Sequence, residues 1–427
     1  MNLKERSKRQ PPCALRERGR IGQRKYDGSF FEEFLPELQG RKGAELFKQM
    51  AENDDIIGAI LFAIEMLVRQ ARWDVEPSGG SKEEGEAAKF VKSCMHDMQT
   101  GWQDTISEIL SFLVYGWSYH EIVYKRRMGK HPDLKLSSGY DDGLIGWRKL
   151  PIRSQDTLLR WEYDADDELV GLSQTAAPDF KVRTIPIEKA IHFVTKSRKG
   201  NPEGRSILRN SYRSYYFKCR FQEIEGIGVE RDLAGLPMLQ PPEGTNIWDA
   251  DDPMMANVLA VAENLVKNVR RDALEGIVLP YGWTFSLLKG EGKRQFEVGN
   301  IIERYDSRMA MTVLADFVLL GHQMHGSYAL SSDKTELFAV AIGTYLDIIC
   351  EAFNTQAIPR LMELNSAVFK DRNNRPRLVH GDIEKVNMAE MAAFLEKMSA
   401  IGLVSPDEGL KRFVRRLADL PESAKRP

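Results

Sequence analysis

The chain has 427 residues, 42% of them hydrophobic and 29% charged, with a formal net charge of −2 at pH 7. That length predicts two or three domains around a substantial core, and the near-neutral balance excludes a protein that coats nucleic acid. No uninterrupted run of about eighteen apolar residues occurs, so no transmembrane helix is expected, and no apolar stretch follows the basic start, so a cytosolic beginning is expected.

Residues 1–25 carry nine Lys/Arg against two Glu and read as a disordered basic arm. From Asp54 the apolar residues Ile57, Ile60, Ile64 and Leu67 recur at helical spacing. Arg72–Glu76 alternates like a half-buried strand and ends at Pro77-Ser78-Gly79-Gly80. Helices are predicted over 82–98 and 103–115. Extended segments follow at 119–125, 157–163, 168–173 (after the acidic turn 164–167) and 190–196. The first two hundred residues therefore read as α+β.

After the turn-rich 195–204 a long helix is predicted from Ser206, as N-cap, to about Leu233. On it Arg205, Arg209 and Arg213 stand at i, i+4 and i+8 and would share one face, with Arg220 further along. Asp252-Pro253 starts a helix with the stripe Val258, Val261, Leu265 and Val269, closed by Gly276. Gly276–Pro280 and Trp283–Phe285 read as a strand pair, and a helix covers about 297–320. Gly321–Ser332 is irregular. Asp333-x-x-Glu336 offers a capping box for a long helix with the stripe Leu337, Ala341, Tyr345, Ile348 and Ala352, which Ile358-Pro359 breaks or kinks. A short extended piece at 377–380 and a helical tail complete the chain.

Catalytic signatures are missing: no GxxxxGK[ST], GxGxxG, HExxH or GxSxG occurs. No enzyme activity, cofactor or metal is expected. His322 and His325 could place two imidazoles on one helix face, but a loop pair is the preferred reading. Asp141-Asp142, Asp164–Asp167 and Asp249–Asp252 read as solvated turns. Trp102, Trp117, Trp147, Trp161, Tyr212, Tyr215 and Tyr216 are scattered or stand at core-like positions, which argues against a base-stacking platform. Cys13, Cys94, Cys219 and Cys350 lack CxxC spacing and read as free thiols.

The order of parts carries a resemblance. Ile185–Phe193 followed by Gly200–Arg209, then Gly228–Pro237, then Gly276–Pro280 with Trp283–Phe285, then Ile358–Asn365, resembles successive passages of phage portal proteins. Arg69–Pro77 at the front and Ser405–Gly409 with Leu417–Pro421 at the back are similar to those of Mu-like portals, so the resemblance spans about 50–420. It implies a portal fold of class α+β: a disordered arm (1–25), an α/β wing (26–204), a stem helix (205–232), a small α/β clip (233–296), a second stem helix (297–320), a tunnel loop (321–332), a long wing helix with a return strand (333–380) and a helical crown (381–427). In the tunnel loop Gly326, Ser327, Tyr328, Ala329 and Leu330 would face DNA, with Tyr328 and Leu330 forming an uncharged collar. In the stem Arg205, Arg209, Arg213 and Arg220 would line the channel or pair with acids such as Glu303 of a neighbouring subunit, and the pairing is favoured because unlike surfaces meet in a closed ring. The implied protein is a homo-oligomeric ring of about twelve subunits at one capsid vertex of the virion, assembled in the host cytoplasm. Its partners would be double-stranded DNA passing without sequence preference, the terminase large subunit, capsid or scaffold protein, and neck or head-completion proteins, with no membrane. Two rival readings are another head component such as a minor capsid protein and a metal-dependent DNA-processing enzyme, which would need paired acids on adjacent strands.

Overall fold

In the computed structural model the described residues are 19, 21–234, 236–249, 252–268, 278–288, 298–315, 328–371, 375–381 and 396–397. The chain divides into two compact units, Met1–Arg209 with Val313–Pro427, and Asn210–Thr312.

The first unit opens with a two-residue hairpin, β1 (Lys25–Tyr26) and β2 (Ser29–Phe30), which brings order to part of the arm expected to be disordered. Asp27 and Gly28 form its turn with φ of 46° and 72°, the left-handed pair that a tight hairpin requires. A side chain at Gly28 would strike the carbonyl oxygen of Trp161, whose N–H donates to the Gly28 carbonyl at 3.0 Å. Helices α1 (Gly40–Asn53) and α2 (Asp55–Gln70) follow. The Asp54 carboxylate caps α2 by accepting from the N–H groups of Ile56 and Ile57, the usual role of an aspartate at a helix start. Ile57, Ile60, Ile64 and Val68 are buried, Val68 taking the place expected of Leu67.

Strand β3 (Trp73–Glu76) leads to α3 (Lys82–His96), closed by a capping box of Ser81 and Glu84, then to α4 (Trp102–Ile109) and α5 (Ser111–Tyr115). The strand-rich part comprises β4 (Trp117–Glu121), β5 (Val123–Met128), β6 (Asp141–Lys149), β7 (Ile152–Arg153), β8 (Leu158–Tyr163), β9 (Leu169–Thr175), β10 (Val182–Pro186) and β11 (Ala190–Val194). These make three small antiparallel sheets in the orders β11-β4-β7, β5-β6 and β10-β9-β8. Asp141 and Asp142 therefore lie on a strand and not in the expected turn. Asp142 is held there by Arg127, whose Nη2 is 2.7 Å away. Phe30, Trp117, Tyr119, Trp161, Leu172, Ile185 and Ala190 form one core cluster.

Within the second unit α6 (Tyr212–Ala234), β12 (Leu236–Gln240), α7 (Pro253–Asn268), β13 (Thr284–Leu288) and α8 (Val298–Thr312) follow in order. β12 pairs antiparallel with β13, Leu236 opposite Leu288 and Gln240 opposite Thr284. The expected partner of the 283–285 strand was Gly276–Pro280. In that segment Val278–Pro280 is unpaired coil, and Gly276 and Ile277 lie outside the described residues. On α7, Val258 and Leu265 are half-buried while Val261 is exposed, so the expected stripe is only partly covered; Val269 is outside the described residues.

The chain returns to the first unit with α9 (Tyr328–Ala352), a π-turn over Phe353–Ala357, α10 (Ile358–Leu364) and β14 (Arg377–His380), which pairs with β3. The expected break falls at the π-turn, and the helix resumes as α10 through Pro359. Pro359 has no N–H to give to residue 355, and the wide π-turn just ahead of it absorbs the lost bond. The buried residues of α9 include Phe338, Ile342, Leu346, Ile349, Cys350 and Ala352; of the expected stripe Ala352 is buried, Ala341, Tyr345 and Ile348 are half-buried and Leu337 is exposed. The helix is apolar on several faces, so periodicity alone admitted both phases. Among the described residues Leu337–Leu364 is long and apolar enough to cross a membrane, which corrects the sequence expectation on length and composition. Its buried side chains make it a core helix of this unit.

Three carboxamides on this helix bind strand backbone in both directions. Asn354 accepts from the Leu378 N–H at 2.7 Å and donates to its carbonyl at 2.9 Å. Gln356 does the same to His192 at 2.8 and 3.1 Å, and Asn365 to Ile145 at 2.8 and 2.9 Å. Each amide acts as a one-residue strand, closing edges of β14, β11 and β6 that would otherwise stand open to pairing by other chains.

Candidate functional site

The sequence pointed to a row of arginines and a loop. The structure separates the arginines. Ser206 caps a short 3₁₀ turn over Ile207–Asn210, its hydroxyl accepting from the Leu208 N–H at 3.0 Å, and α6 begins only at Tyr212. Arg205 and Arg209 are thus not on α6, and the i, i+4, i+8 face with Arg213 does not form. Arg205 is tied down through its backbone: its N–H donates to Thr195 Oγ1 at 3.2 Å and its carbonyl accepts from that hydroxyl at 2.7 Å. Burial, with Arg198 and Arg209 close by, lowers its pKa. Arg209 forms a two-pronged ion pair with Glu33 at 2.5 and 2.7 Å, and its guanidinium lies 5.1 Å from the Phe34 ring centre. Its acid comes from its own unit.

Of the expected loop residues, Gly326 and Ser327 lie outside the described residues. Tyr328, Ala329 and Leu330 form the first turn of α9, so the helix starts five residues ahead of Asp333 and the segment to Ser332 is helical. Those apolar and small residues extend the helix without a break. His322 and His325 are outside the described residues.

The helix pair α6–α8 carries the densest chemistry in the second unit. Lys218 Nζ lies 2.7 Å from Asp306 Oδ1, with the lysine side chain only 2% exposed. Around this pair Phe217 and Phe221 stack on Tyr305, at centroid distances of 6.1 and 6.0 Å and interplanar angles of 17° and 22°. The hydroxyls of Ser211 and Thr312 meet at 2.5 Å, and Met309 and Ala310 are buried. On the outside, Arg213 lies 5.9 Å from the Phe217 ring centre, Arg220 5.7 Å from Tyr216, and Arg304 and Arg308 5.6 and 5.8 Å from Tyr305. Arg220 also pairs with Glu223 at 3.1 Å. The i, i+4 pair Arg304–Arg308 was legible in the sequence, but nothing there paired it with α6.

The first unit buries groups that have no catalytic setting. Burial lowers the pKa values of His120 and His192 to about 4 and so keeps both neutral. Glu203 accepts from Trp161 Nε1 at 3.2 Å, and burial pushes its carboxyl up from 4.5 to about 7. Between those values the folded chain holds a proton that the unfolded chain has released, so stability falls as pH rises through that window. Above it the ionised carboxylate imposes its full cost. Glu203→Gln should flatten this slope, leaving the variant more stable than the parent at pH 8 by on the order of 1 kcal/mol after allowing for residual solvent. Urea unfolding at pH 5 and pH 8 checks it; parallel pH dependences for parent and variant would refute the assignment.

Among the described residues no group of three or more His, Cys, Asp or Glu could hold a metal ion. What the site offers is a rigid helix pair with a cationic, aromatic outer face.

A family model described as the portal protein of Mu bacteriophage matches residues 44–415. The neck of an empty gene transfer agent particle, computed with C6 symmetry, is 12% identical with a TM-score of 0.52, covering 88% of this chain and 93% of that one. The neck of the native particle, computed with C12 symmetry, is also 12% identical, with a TM-score of 0.50 and the same coverage. An HK97-family phage portal protein from Corynebacterium diphtheriae is 11% identical, with a TM-score of 0.43, covering 80% of this chain and 95% of that one. No curated protein matches.

Proposed function

The chain belongs to the family of the Mu bacteriophage portal protein, and from that membership we propose how its parts serve a portal. The observation that carries the reading is the family match from residue 44 to residue 415, which covers both compact units. The α6–α8 pair fits a stem, and the β12–β13 ladder with α7 fits a clip, within the region 205–320. The first unit supplies the wing from residues 26–204 and the helix that runs on from α9. A tunnel segment at 321–332, whose part from Tyr328 onward is the start of α9, and a crown at 381–427 complete the proposal; the DNA-facing residues of that segment are Gly326, Ser327, Tyr328, Ala329 and Leu330.

Copies of the chain assemble into a closed ring at one vertex of the capsid, supported by neck structures of similar fold computed with C6 and C12 symmetry. Unlike surfaces meet in such a ring, as heterologous closed interfaces require. Exposed apolar residues on the second unit, Trp248, Met254, Val278 and Tyr281, suit docking of the terminase large subunit and later of neck proteins. Duplex DNA passes through without sequence preference. A subunit of net charge −2 limits contact to a few basic side chains, since each Lys or Arg on a phosphate adds salt-dependent affinity and a wholly basic wall would hold the duplex in place. The chain itself breaks no bond, and ATP hydrolysis belongs to the motor. The oligomeric state of the purified chain tests the proposal.

A further inference from the structure

We infer that Arg213, Arg304 and Arg308, gathered around the stacked rings of Phe217 and Tyr305, form a binding surface for the phosphate backbone of duplex DNA. The inference rests on the portal reading for the presence of DNA, but its geometry comes from the second unit alone. Three observations carry it. First, the side chains are contiguous: Arg213 lies against Phe217, Phe217 stacks on Tyr305, and Arg304 and Arg308 lie against Tyr305. Second, all three arginines are exposed, and among the described residues none has an ion-pair partner, whereas Arg220 beside them is engaged by Glu223. Third, the platform is rigid, because the buried Lys218–Asp306 pair joins α6 to α8 directly beneath it.

Free cations crowded on one surface repel one another, and an anion relieves that repulsion. A guanidinium lying on an aromatic ring keeps its orientation while its donors stay free for two-pronged contact with phosphate. Contact of this kind reads no bases, as a conduit for any sequence requires. A second copy of this unit is the weaker candidate. Of its described acids Glu223 and Glu263 are taken by Arg220 and Lys267 and Asp252 caps α7, which leaves the exposed Glu243 and Glu303 as acids a neighbour could offer, and ring integrity is therefore read beside DNA binding. Stacking of nucleobases on the rings is also disfavoured, because Phe217 and Tyr305 already stack on each other.

The test uses the full chain, a short linear duplex of mixed sequence and a second of unrelated sequence. Binding is measured across a salt series, with oligomeric state recorded on the same samples. The triple variant R213Q/R304Q/R308Q should bind on the order of tenfold more weakly or worse at low salt, and its salt slope should be shallower by roughly 0.9 for each phosphate it no longer neutralises. The loss should be equal on both duplexes, with rings intact. R213K/R304K/R308K keeps the charge and should retain most of the binding. Unchanged DNA binding by the glutamine variant would overturn the inference, as would loss of rings with DNA binding preserved, which would make the surface a subunit contact. If the parent forms no ring yet the glutamine variant still loses DNA binding, the surface stands and the portal reading falls.

Discussion

Lys218→Ala lowers the stability of the Asn210–Thr312 unit by about 3–5 kcal/mol, because it leaves Asp306 charged and enclosed without its lysine. The pair lies 2.7 Å apart with the lysine 2% and the aspartate 18% exposed, so solvent can replace little of the missing interaction. Removing both charges behaves differently. The double variant Lys218→Met with Asp306→Leu should be near neutral, or more stable than the parent, since matched apolar residues avoid the desolvation cost altogether. The buried pair therefore sets how α6 lies on α8 more than it adds to stability. Hydrogen exchange of the α6 and α8 amides reads the effect locally, which suits a chain whose two units need not unfold together. A cost under about 1 kcal/mol for the single variant would mean that water reaches Asp306, and the rigid platform would lose its basis.

Phe353→Ala should destabilise the first unit by about 3–5 kcal/mol. Its ring is fully buried and lies 5.2 Å from Trp102, 5.9 Å from Trp147 and 5.8 Å from Phe193, measured between centroids. It thus joins the helix to α4, β6 and β11 at the π-turn, the one place where the helix changes phase. The turn takes up an extra residue, so Phe338, Ile342 and Leu346 before it and Leu361 and Met362 after it all face the interior. Phe353→Leu, which keeps most of the volume, should cost much less. Thermal unfolding followed by tryptophan fluorescence separates the two, since Trp102 and Trp147 report on the same cavity. Equal costs for the two variants would show that the aromatic contacts, and not the cavity, dominate.

The sequence made local signals legible and long-range pairing illegible. The helix start at Asp54, the hairpin around Asp164–Asp167 and the return strand at Arg377–His380 depend on residues close in the chain or on strict alternation. The β12–β13 ladder joins residues almost fifty positions apart, and the sequence offered the nearby Gly276–Pro280 as the partner of Trp283–Phe285 instead. The α9 stripe was placed only partly: Ala352 is buried as expected and Tyr345 packs against Phe112, but the deepest positions, Phe338, Ile342, Leu346 and Ile349, lie one residue beyond the ones named. Which face turns inward was decided by the π-turn, and no residue pattern announced it.

The candidate site followed the same division. Arg304 and Arg308 stand at helical spacing in the sequence, and Arg213 and Arg220 were named from it. Their union around Phe217 and Tyr305 needed α6 and α8 to pack side by side. The supposed row of Arg205, Arg209 and Arg213 failed for a local reason, the 3₁₀ turn that Ser206 caps ahead of α6. Arg209 is then drawn to Glu33, a carboxylate 176 positions earlier. The family resemblance was legible because it rests on the order of many short passages, which survives even where the assignment of a single strand is wrong.

The central claim is that the chain works as a ring-shaped conduit. Its most direct test is negative-stain electron microscopy of the purified full-length chain, with the mass in solution measured on the same preparation. The account predicts closed rings with a central hole wide enough for duplex DNA, and a mass equal to a whole number of 48.6 kDa subunits matching the symmetry of the images. A uniform monomer or dimer at every concentration, with and without scaffold protein, would contradict it.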